Sequence, residues 1–525
     1  MARKFSHQFN TPAYQGSVTI PTGLFIGGAF VHGSNRTVIP LTNGKVITKI
    51  SEATARDVDT AVKAAQDAFD TTVWGLNASG AKRGELLYKL ATLEALKINY
   101  RLLLYESTFI WTKTVDVEFS IETIKYYAGW ADKITDQTLD ELSFITQTDE
   151  KKFIYTRHEP IGVVVRTLRN FPLLMSAWKI GPALATNTIV LKPSEFTPLT
   201  ALQMCALIQE AGFPPGVVNV VTGYGNTVGA AISSHMGIGK IAFTGSTLVG
   251  RKIMEAAPSS QLLPFRANAS VPIATRCRLG GKSPNIIFDA DLENANHGAA
   301  CCAGSRIFVQ SGIYDKFLEK FTEKTKSIRS GDPFSADVDQ GPMSSEVQFN
   351  VRRARSMRQA ISLTRRSASW DTLNLGRSKE PQCTFGTEGY YINPTIFTNT
   401  RPDMKIVQEE IFGPVSVIIK FKDEDDVIRQ ANDTVYGLAS GVFSQNINRA
   451  IRTAHRLQAG TAWVNCFNHF KANIPFGGYK QSGIGREMGE YALHKYVSWF
   501  TVHGHLISRC DVPGKNPFAA QPLYS

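Results

Sequence analysis

Short, β-branched apolar runs alternate with stretches of helical period along most of this chain, and that alternation is what most narrows its fold. Thr54 can cap a helix with Asp57 at its third position, and behind it Val58, Ala61, Val62, Ala65 and Phe69 recur on one face. Residues 162–165 and 188–191 read as strands buried on both sides. The period over 199–211 is helical, and Gly212 followed by Pro214 ends it. Strands follow at 217–221 and 240–243, the latter running through a turn into a helix at 249–257. This order predicts a doubly wound parallel sheet. A second series has strands at 285–288, 415–419, 441–443 and 461–464, with helices at 425–432 and 449–457. Residues 126–154 and the last thirty or so fit neither series. The two-residue alternation around 498–502 suits a small extra sheet that mediates assembly.

Composition excludes several classes. Of the 525 residues, 43% are hydrophobic and 19% charged, enough apolar content for a large core and too little charge for a disordered chain. No apolar run reaches the roughly 18 residues of a membrane span. The net charge of +12 is concentrated in residues 352–379, with eight basic residues against one acid. No nucleic-acid-reading module accompanies that stretch, so a solvated face is expected and no nucleic-acid partner. Seven cysteines, an odd number without a CxxC pair, fit neither a zinc site nor a disulfide framework; no metal is expected and a reducing compartment is favoured. The absence of a secretory pattern in 1–19 predicts a cytoplasmic protein. A short mitochondrial presequence is the alternative, because Arg3 and Lys4 stand near the start and the first acid is Glu52.

Four local patterns can carry chemistry. Gly245-Ser-Thr-Leu-Val-Gly250 joins a strand to a helix, where glycine lets backbone approach a phosphate and the helix N-terminus favours anions. Cys301 and Cys302 are adjacent thiols among small residues, as an accessible nucleophile needs. Asn170 follows an apolar strand, where a side-chain amide can donate to a developing oxyanion. Lys192 and Glu195 stand at a strand's C-terminal end, where α/β proteins bind ligands. Taken singly, each has a plainer reading: a tight turn, a buried cysteine pair, an Asn-Pro turn and a surface loop.

Their joint occurrence changes that balance. The chain resembles the aldehyde dehydrogenase superfamily, most closely its NAD-linked, non-acylating, fungal-type general branch, over most of residues 25–502. The resemblance rests on Asn170-Phe-Pro-Leu-Leu-Met175, Trp178-Lys-Ile-Gly-Pro-Ala-Leu184, Gly212-Phe-Pro-Pro-Gly-Val-Val-Asn219 and Phe243-Thr-Gly-Ser-Thr247. Further along stand Leu279-Gly-Gly-Lys-Ser-Pro284, Ala303-Gly-Ser-Arg306, Glu409-Glu-Ile-Phe-Gly-Pro414, Pro475-Phe-Gly-Gly-Tyr-Lys480 and Ser482-Gly-Ile-Gly-Arg-Glu487.

The resemblance implies a Rossmann-like cofactor domain over residues 20–135 and 160–280, an α/β catalytic domain over 281–480, and oligomerisation segments at 136–159 and 481–510. It implies Cys301 as nucleophile, with Cys302 its variable neighbour, and Asn170 as oxyanion donor. Lys192 and Glu195 match adenosine-ribose contacts. Gly225, Gly245 and Ser246 match the adenosine and pyrophosphate side, and Glu410 and Phe412 the nicotinamide riboside. Lys179 matches a motif lysine near the site. The implied reaction oxidises a small aldehyde to a carboxylic acid in a homodimer or homotetramer without membrane attachment. Glu195 favours NAD over NADP, because a carboxylate repels a 2′-phosphate.

The chain also departs from the family pattern. Arg278 stands where the family has its general-base glutamate, and a guanidinium cannot accept a proton. Ala299 replaces a glutamine before the nucleophile, and about ten residues, nearly three helical turns, are missing between Ala295 and Asn296. Residues 258–276 and 362–385 are foreign to the pattern. Two origins stay open, misread introns and a decayed paralogue. The functional alternative is a catalytically impaired or silent NAD-binding or structural protein on the same scaffold.

Overall fold

The computed structural model describes residues 4–11, 14–33, 35–40, 46–71, 74–75, 78–97, 112–134, 152–168, 171–256, 276–288, 301–331, 338–341, 372–374 and 391–505. Asn170, Ala299, residues 258–275 and most of 362–385 lie outside them.

Local chemistry sets the helix ends. Helix α1 (Ala55–Asp70) opens on the expected capping box: the Thr54 N–H donates to Asp57 Oδ2 at 2.8 Å and the Thr54 hydroxyl accepts from the Asp57 N–H. Its buried face is Val58, Ala61, Val62, Ala65 and Ala68. The expected Phe69 is only half-buried, because its ring leans out over the Gly75 turn and Ala68 completes the stripe. Helices α2 (Gly80–Lys97), α3 (Glu118–Ala128), α4 (Pro172–Leu184) and α5 (Leu199–Ala211) follow. Every residue of α4 is buried. Helix α5 stops where expected, at Gly212 with φ of 89°, a left-handed turn that glycine adopts without strain.

Two seven-stranded sheets organise the chain. The first contains β1 (Leu24–Ile26), β2 (Ala29–Val31), β3 (Val163–Leu168), β4 (Thr188–Pro193), β5 (Val218–Val220), β6 (Lys240–Gly245) and β7 (Arg276–Leu279). Their spatial order is β7-β6-β3-β4-β5-β1-β2, with β3 to β7 parallel and β1–β2 an antiparallel hairpin on the β5 edge. Helix α6 (Thr247–Ala256) follows β6. The second sheet contains β8 (Pro284–Ile287), β9 (Arg306–Gln310), β10 (Thr372–Asn374), β11 (Thr395–Phe397), β12 (Val415–Phe421), β13 (Ala439–Phe443) and β14 (Thr461–Val464). Its order is β10-β11-β12-β9-β8-β13-β14, parallel except at β10. Helices α7 (Tyr314–Lys326), α8 (Glu424–Asn432) and α9 (Ile447–Arg456) accompany it.

The alternation near the C-terminus belongs to a two-stranded antiparallel ribbon, Lys152–Pro160 with Val497–His505. Residues 126–128, grouped with that ribbon in the sequence reading, instead finish helix α3; Tyr127 and Ala128 fall on its buried face. The largest apolar cluster spans both sheets. It joins Val164, Ile189, Leu191 and the α4 side chains to Leu438, Trp463 and Phe476. Each fully buried aliphatic side chain there stabilises the fold by about 1.5–3 kcal/mol, which ties the two units together. Among the described residues no helix is long and apolar enough to cross a membrane.

Candidate active site

Among the described residues, the sequence-derived candidates lie at strand ends that face the seam between the sheets, while Asn170 lies outside the described residues. Lys192 ends β4, Glu195 follows it, Gly225 lies beyond β5, Gly245 ends β6, and Gly280 and Gly281 follow β7. All sit at the carboxyl ends of parallel strands, where open α/β sheets bind ligands. From the second sheet, Gly280–Ser283 lead into β8, Cys301 precedes β9, and Glu410 and Phe412 precede β12, so its strands meet the seam by their amino ends.

On the first-sheet side, Lys192 is wholly buried; its Nζ lies 3.8 Å from Glu195 Oε2 and donates to the Pro193 carbonyl at 3.1 Å. Burial pulls its pKa down, and the Glu195 carboxylate opposes that shift. Glu195 is partly exposed, so the pair presents one fixed cation and one reachable carboxylate. Ser246 is exposed at the start of α6, where its hydroxyl accepts from the Val249 N–H at 3.3 Å and its carbonyl from Gly250 at 3.0 Å. A helix amino end built this way favours an anion. Nothing lies within 4 Å of where a Cβ on Gly225 would point.

On the second-sheet side, the Gly280–Gly281 turn is wedged between two functional segments. A Cβ on Gly280 would collide with the Glu410 carboxylate, and one on Gly281 with the Cys301 carbonyl oxygen. The Gly281 N–H donates to Glu410 Oε1 at 2.9 Å. Ser482, fully buried, donates to the Gly280 carbonyl at 2.8 Å and accepts from the Gly437 N–H at 2.9 Å. The turn is therefore pinned from two sides. Phe412 is half-buried with φ of 60°, a left-handed conformation in the segment that brings Glu410 to the turn.

The two adjacent thiols differ. Cys302 is 3% exposed and its Sγ–H donates to Asn468 Oδ1 at 3.1 Å. Cys301 is half-buried and packs against the large apolar cluster that contains Trp178, Leu438, Trp463 and Phe476; Phe119, Phe171, Phe467 and Phe470 are partly buried against the same cluster. Trp178 touches that wall, with ring centroids 5.9 Å from both Phe119 and Phe470.

Arg278 lies in β7 in register with Thr244 of β6. Thr244 accepts from Lys179 Nζ at 2.6 Å, and Lys179, fully buried, is ion-paired with the Glu487 carboxylate. Arg306 is fully buried and donates to the carbonyls of Lys282, Gln430 and Ala431, tying β8 and the end of α8 to the segment after the thiols. Burial lowers its pKa to about 10.

Sequence reasoning gave Ser482, Glu487 and Arg306 no role although it quoted the motifs containing them. A usable signal existed for Glu487: a lysine inside an apolar helix needs a carboxylate, and the acid at the end of the last motif supplies it. Among the described residues no cluster of three or more His, Cys, Asp or Glu side chains could hold a metal.

The family model for the aldehyde dehydrogenase family matches residues 30–502. An aldehyde dehydrogenase of Agaricus bisporus is 59% identical over 522 residues, covering 96% of this chain and 98% of that protein. The NAD+ complex of a Bacillus cereus aldehyde dehydrogenase superimposes with a TM-score of 0.81 at 36% identity, covering 93% and 97% of the two chains. Betaine aldehyde dehydrogenase from Staphylococcus aureus, in complex with NAD+, gives 0.84 at 34% identity, covering 93% and 95%. With the glycine turn set against the Glu410 carboxylate and the Cys301 backbone between two largely parallel sheets, and with these likenesses over nearly the whole length, the chain belongs to the aldehyde dehydrogenase family.

Proposed function

We propose that the protein oxidises a small aldehyde to the carboxylic acid with NAD as hydride acceptor, through a thioester on Cys301. One observation carries the reading: the Gly280–Gly281 turn lies against both the Cys301 backbone carbonyl and the Glu410 carboxylate, beside the cofactor-side strand ends. The residues on that side suit a dinucleotide. Lys192 and Glu195 would take the adenosine ribose, Gly225, Gly245 and Ser246 the adenosine and pyrophosphate, and Glu410 and Phe412 the nicotinamide riboside. When bound, the dinucleotide supplies the hydride acceptor. Related structures hold NAD+, and the Glu195 carboxylate would repel the 2′-phosphate of NADP.

The chain's own residues then divide the work. The Cys301 thiolate adds to the aldehyde carbon, and Asn170 with backbone N–H groups stabilises the oxygen that becomes negative. The Gly280–Gly281 turn leaves no side chain to displace Cys301. Thioester hydrolysis needs a base for the attacking water, and Arg278 occupies the family's position for it.

Arg278 is the observation that favours a second reading, a protein that binds NAD and acylates its thiol but turns over slowly or not at all. Stopped-flow NADH formation with NAD and a panel of aldehydes separates the two. A burst followed by steady turnover supports the first, a burst without turnover the second. No burst, with Cys301 still alkylated by iodoacetamide, sinks the enzymatic account. A homodimer or homotetramer, the domain boundaries at 20–135 with 160–280, 281–480 and 136–159 with 481–510, and a cytoplasmic location belong to the same proposal.

A further inference from the structure

We propose that Asn468 is a positioning residue for Cys301, acting through Cys302: it accepts a hydrogen bond from the Cys302 thiol and so fixes the peptide that joins the two cysteines. The inference rests on the reading of Cys301 above and gives the second thiol the part of an anchor.

Two grips meet on one peptide unit. The Cys301 carbonyl oxygen lies against Gly281, so close that a Cβ there would collide with it. The Cys302 side chain, 3% exposed in the largest apolar cluster, donates its Sγ–H to Asn468 Oδ1 at 3.1 Å. A peptide plane holds both Cα atoms together with the C=O and N–H between them. Its oxygen is held on one side, and the side chain on its far Cα is held on the other. Together these contacts set the Cys301 Cα, from which the nucleophilic side chain springs. Just beyond, a Cβ on Gly304 would collide with the Asn285 side chain, so the segment is closely fitted where it runs into β9.

Asn468 can bear this role because its own loop is fastened. It has φ of 64°, a left-handed conformation that asparagine adopts more readily than most residues. Three residues earlier, Asn465 is also left-handed, with φ of 52°. Its side-chain oxygen accepts from the Ser444 N–H at 2.9 Å and its amide donates to the Ser444 carbonyl at 3.0 Å, tying the loop to the end of β13. One residue after Asn468, the His469 carbonyl accepts from Trp463 Nε1 of β14 at 3.1 Å. Phe467 and Phe470 pack on the same Trp463 side chain, with ring centroids 4.9 and 5.5 Å from it. Asn468 thus stands between anchors on β13 and β14. The bond from Cys302 joins the thiol segment to that fixed loop across 166 residues of sequence.

The test uses the full chain and acylation by p-nitrophenyl acetate, located at Cys301 by peptide mass. Asn468→Gly keeps the left-handed backbone and removes the acceptor; Cys302→Ala removes the donor. Each should slow acylation about tenfold, part of the ~10²-fold that a misplacement of about 1 Å can cost. The double variant should be no slower than the slower single one, because both substitutions remove one bond. Cys302→Ser keeps a donor and should recover most of the rate. NAD affinity, followed by fluorescence quenching, should stay unchanged throughout; an affinity that falls in step with acylation marks a general loosening and overturns the proposal. Losses that add in the double variant, or single variants that fold and acylate at the wild-type rate, also overturn it. If Asn468→Gly does not fold, Cys302→Ala against Cys302→Ser decides, and equal rates overturn it. A wild type that is not acylated defeats the Cys301 reading instead. The infrared S–H stretch then decides: a band absent from Cys302→Ala that moves to higher frequency in Asn468→Gly supports the anchor, and a band that Asn468→Gly leaves in place sinks it.

Discussion

Gly281→Ala tests the geometry of the thiol site most directly. The added Cβ would stand well under 3.0 Å from the Cys301 carbonyl oxygen, where real Cβ atoms are essentially never found. An ordinary C···O approach is about 3.3 Å or more, so the two segments must separate by about 1 Å. A backbone oxygen cannot rotate aside. Nor can the glycine turn retreat, because Glu410 holds the Gly281 N–H at 2.9 Å and Ser482 holds the Gly280 carbonyl at 2.8 Å. The displacement therefore falls on Cys301. A shift of about 1 Å in a reacting group costs ~10²-fold in rate, equivalent to about 2.7 kcal/mol of barrier. Overpacking removes a further 1–3 kcal/mol, roughly, of stability. The assay is the acylation burst with p-nitrophenyl acetate, alongside thermal denaturation. Gly312→Ala is the control, since nothing lies within 4 Å of its Cβ position. A Gly281→Ala protein with a burst rate within about threefold of wild type and an unchanged Tm would show that the turn does not hold the thiol, a difference far smaller than the expected ~10².

Other substitutions probe the remaining parts. Arg278→Glu should raise steady-state turnover by about 10²–10⁴-fold while slowing the acylation burst at pH 7; an unaltered turnover would remove position 278 from deacylation. Lys179→Met leaves the buried Glu487 carboxylate without its cation and should destabilise the fold by about 3–5 kcal/mol. In chemical denaturation, the double variant Lys179→Met/Glu487→Met should be distinctly more stable than that single one, and equal stabilities would deny the pairing. Ser482→Ala orphans the buried Gly280 carbonyl and Gly437 N–H, costing about 1–3 kcal/mol, and should also change the rate at which iodoacetamide reaches Cys301. A stable variant with unaltered alkylation would refute that link.

Much of the scaffold is legible locally. The β-branched run at 188–191 becomes a strand because its residues are buried on both faces, 461–464 becomes an edge strand that buries Trp463 and exposes Ala462, and the helix over 199–211 stops at Gly212 because only a left-handed residue closes that turn. The Thr54–Asp57 box works because both partners lie within one helical turn. What the sequence does not disclose joins distant segments. Asp116 reaches Leu174 across 58 residues, and Ser482 reaches Gly280 across 202. No periodicity encodes such partners, and each side chain alone looks like an ordinary polar residue. The two misjudged positions have the same origin. Whether Phe69 completes a stripe, and whether residues 126–128 belong to a helix, depends on the Gly75 turn and the α3 packing, which come from elsewhere in the chain.

The departure at position 278 separates two steps that a shared active site usually keeps together. The groups that hold the thiol side are Ser482 on Gly280, Glu410 on Gly281, and Arg306 on the carbonyl of Lys282. None of these bonds involves the side chain at 278, whose backbone keeps its register opposite Thr244. On the proposed assignment, arginine in place of glutamate there takes away the base for the attacking water without withdrawing any of them. On the proposed assignment of position 278, its positive charge would also favour the thiolate, the form that attacks. Acylation and deacylation should thus respond in opposite directions to the same residue: Arg278→Glu slows alkylation of Cys301 at pH 7 while speeding turnover. If both rates rose together, the separation argued from these bonds would be wrong, because position 278 would then be shaping the thiol's surroundings as well as the water's.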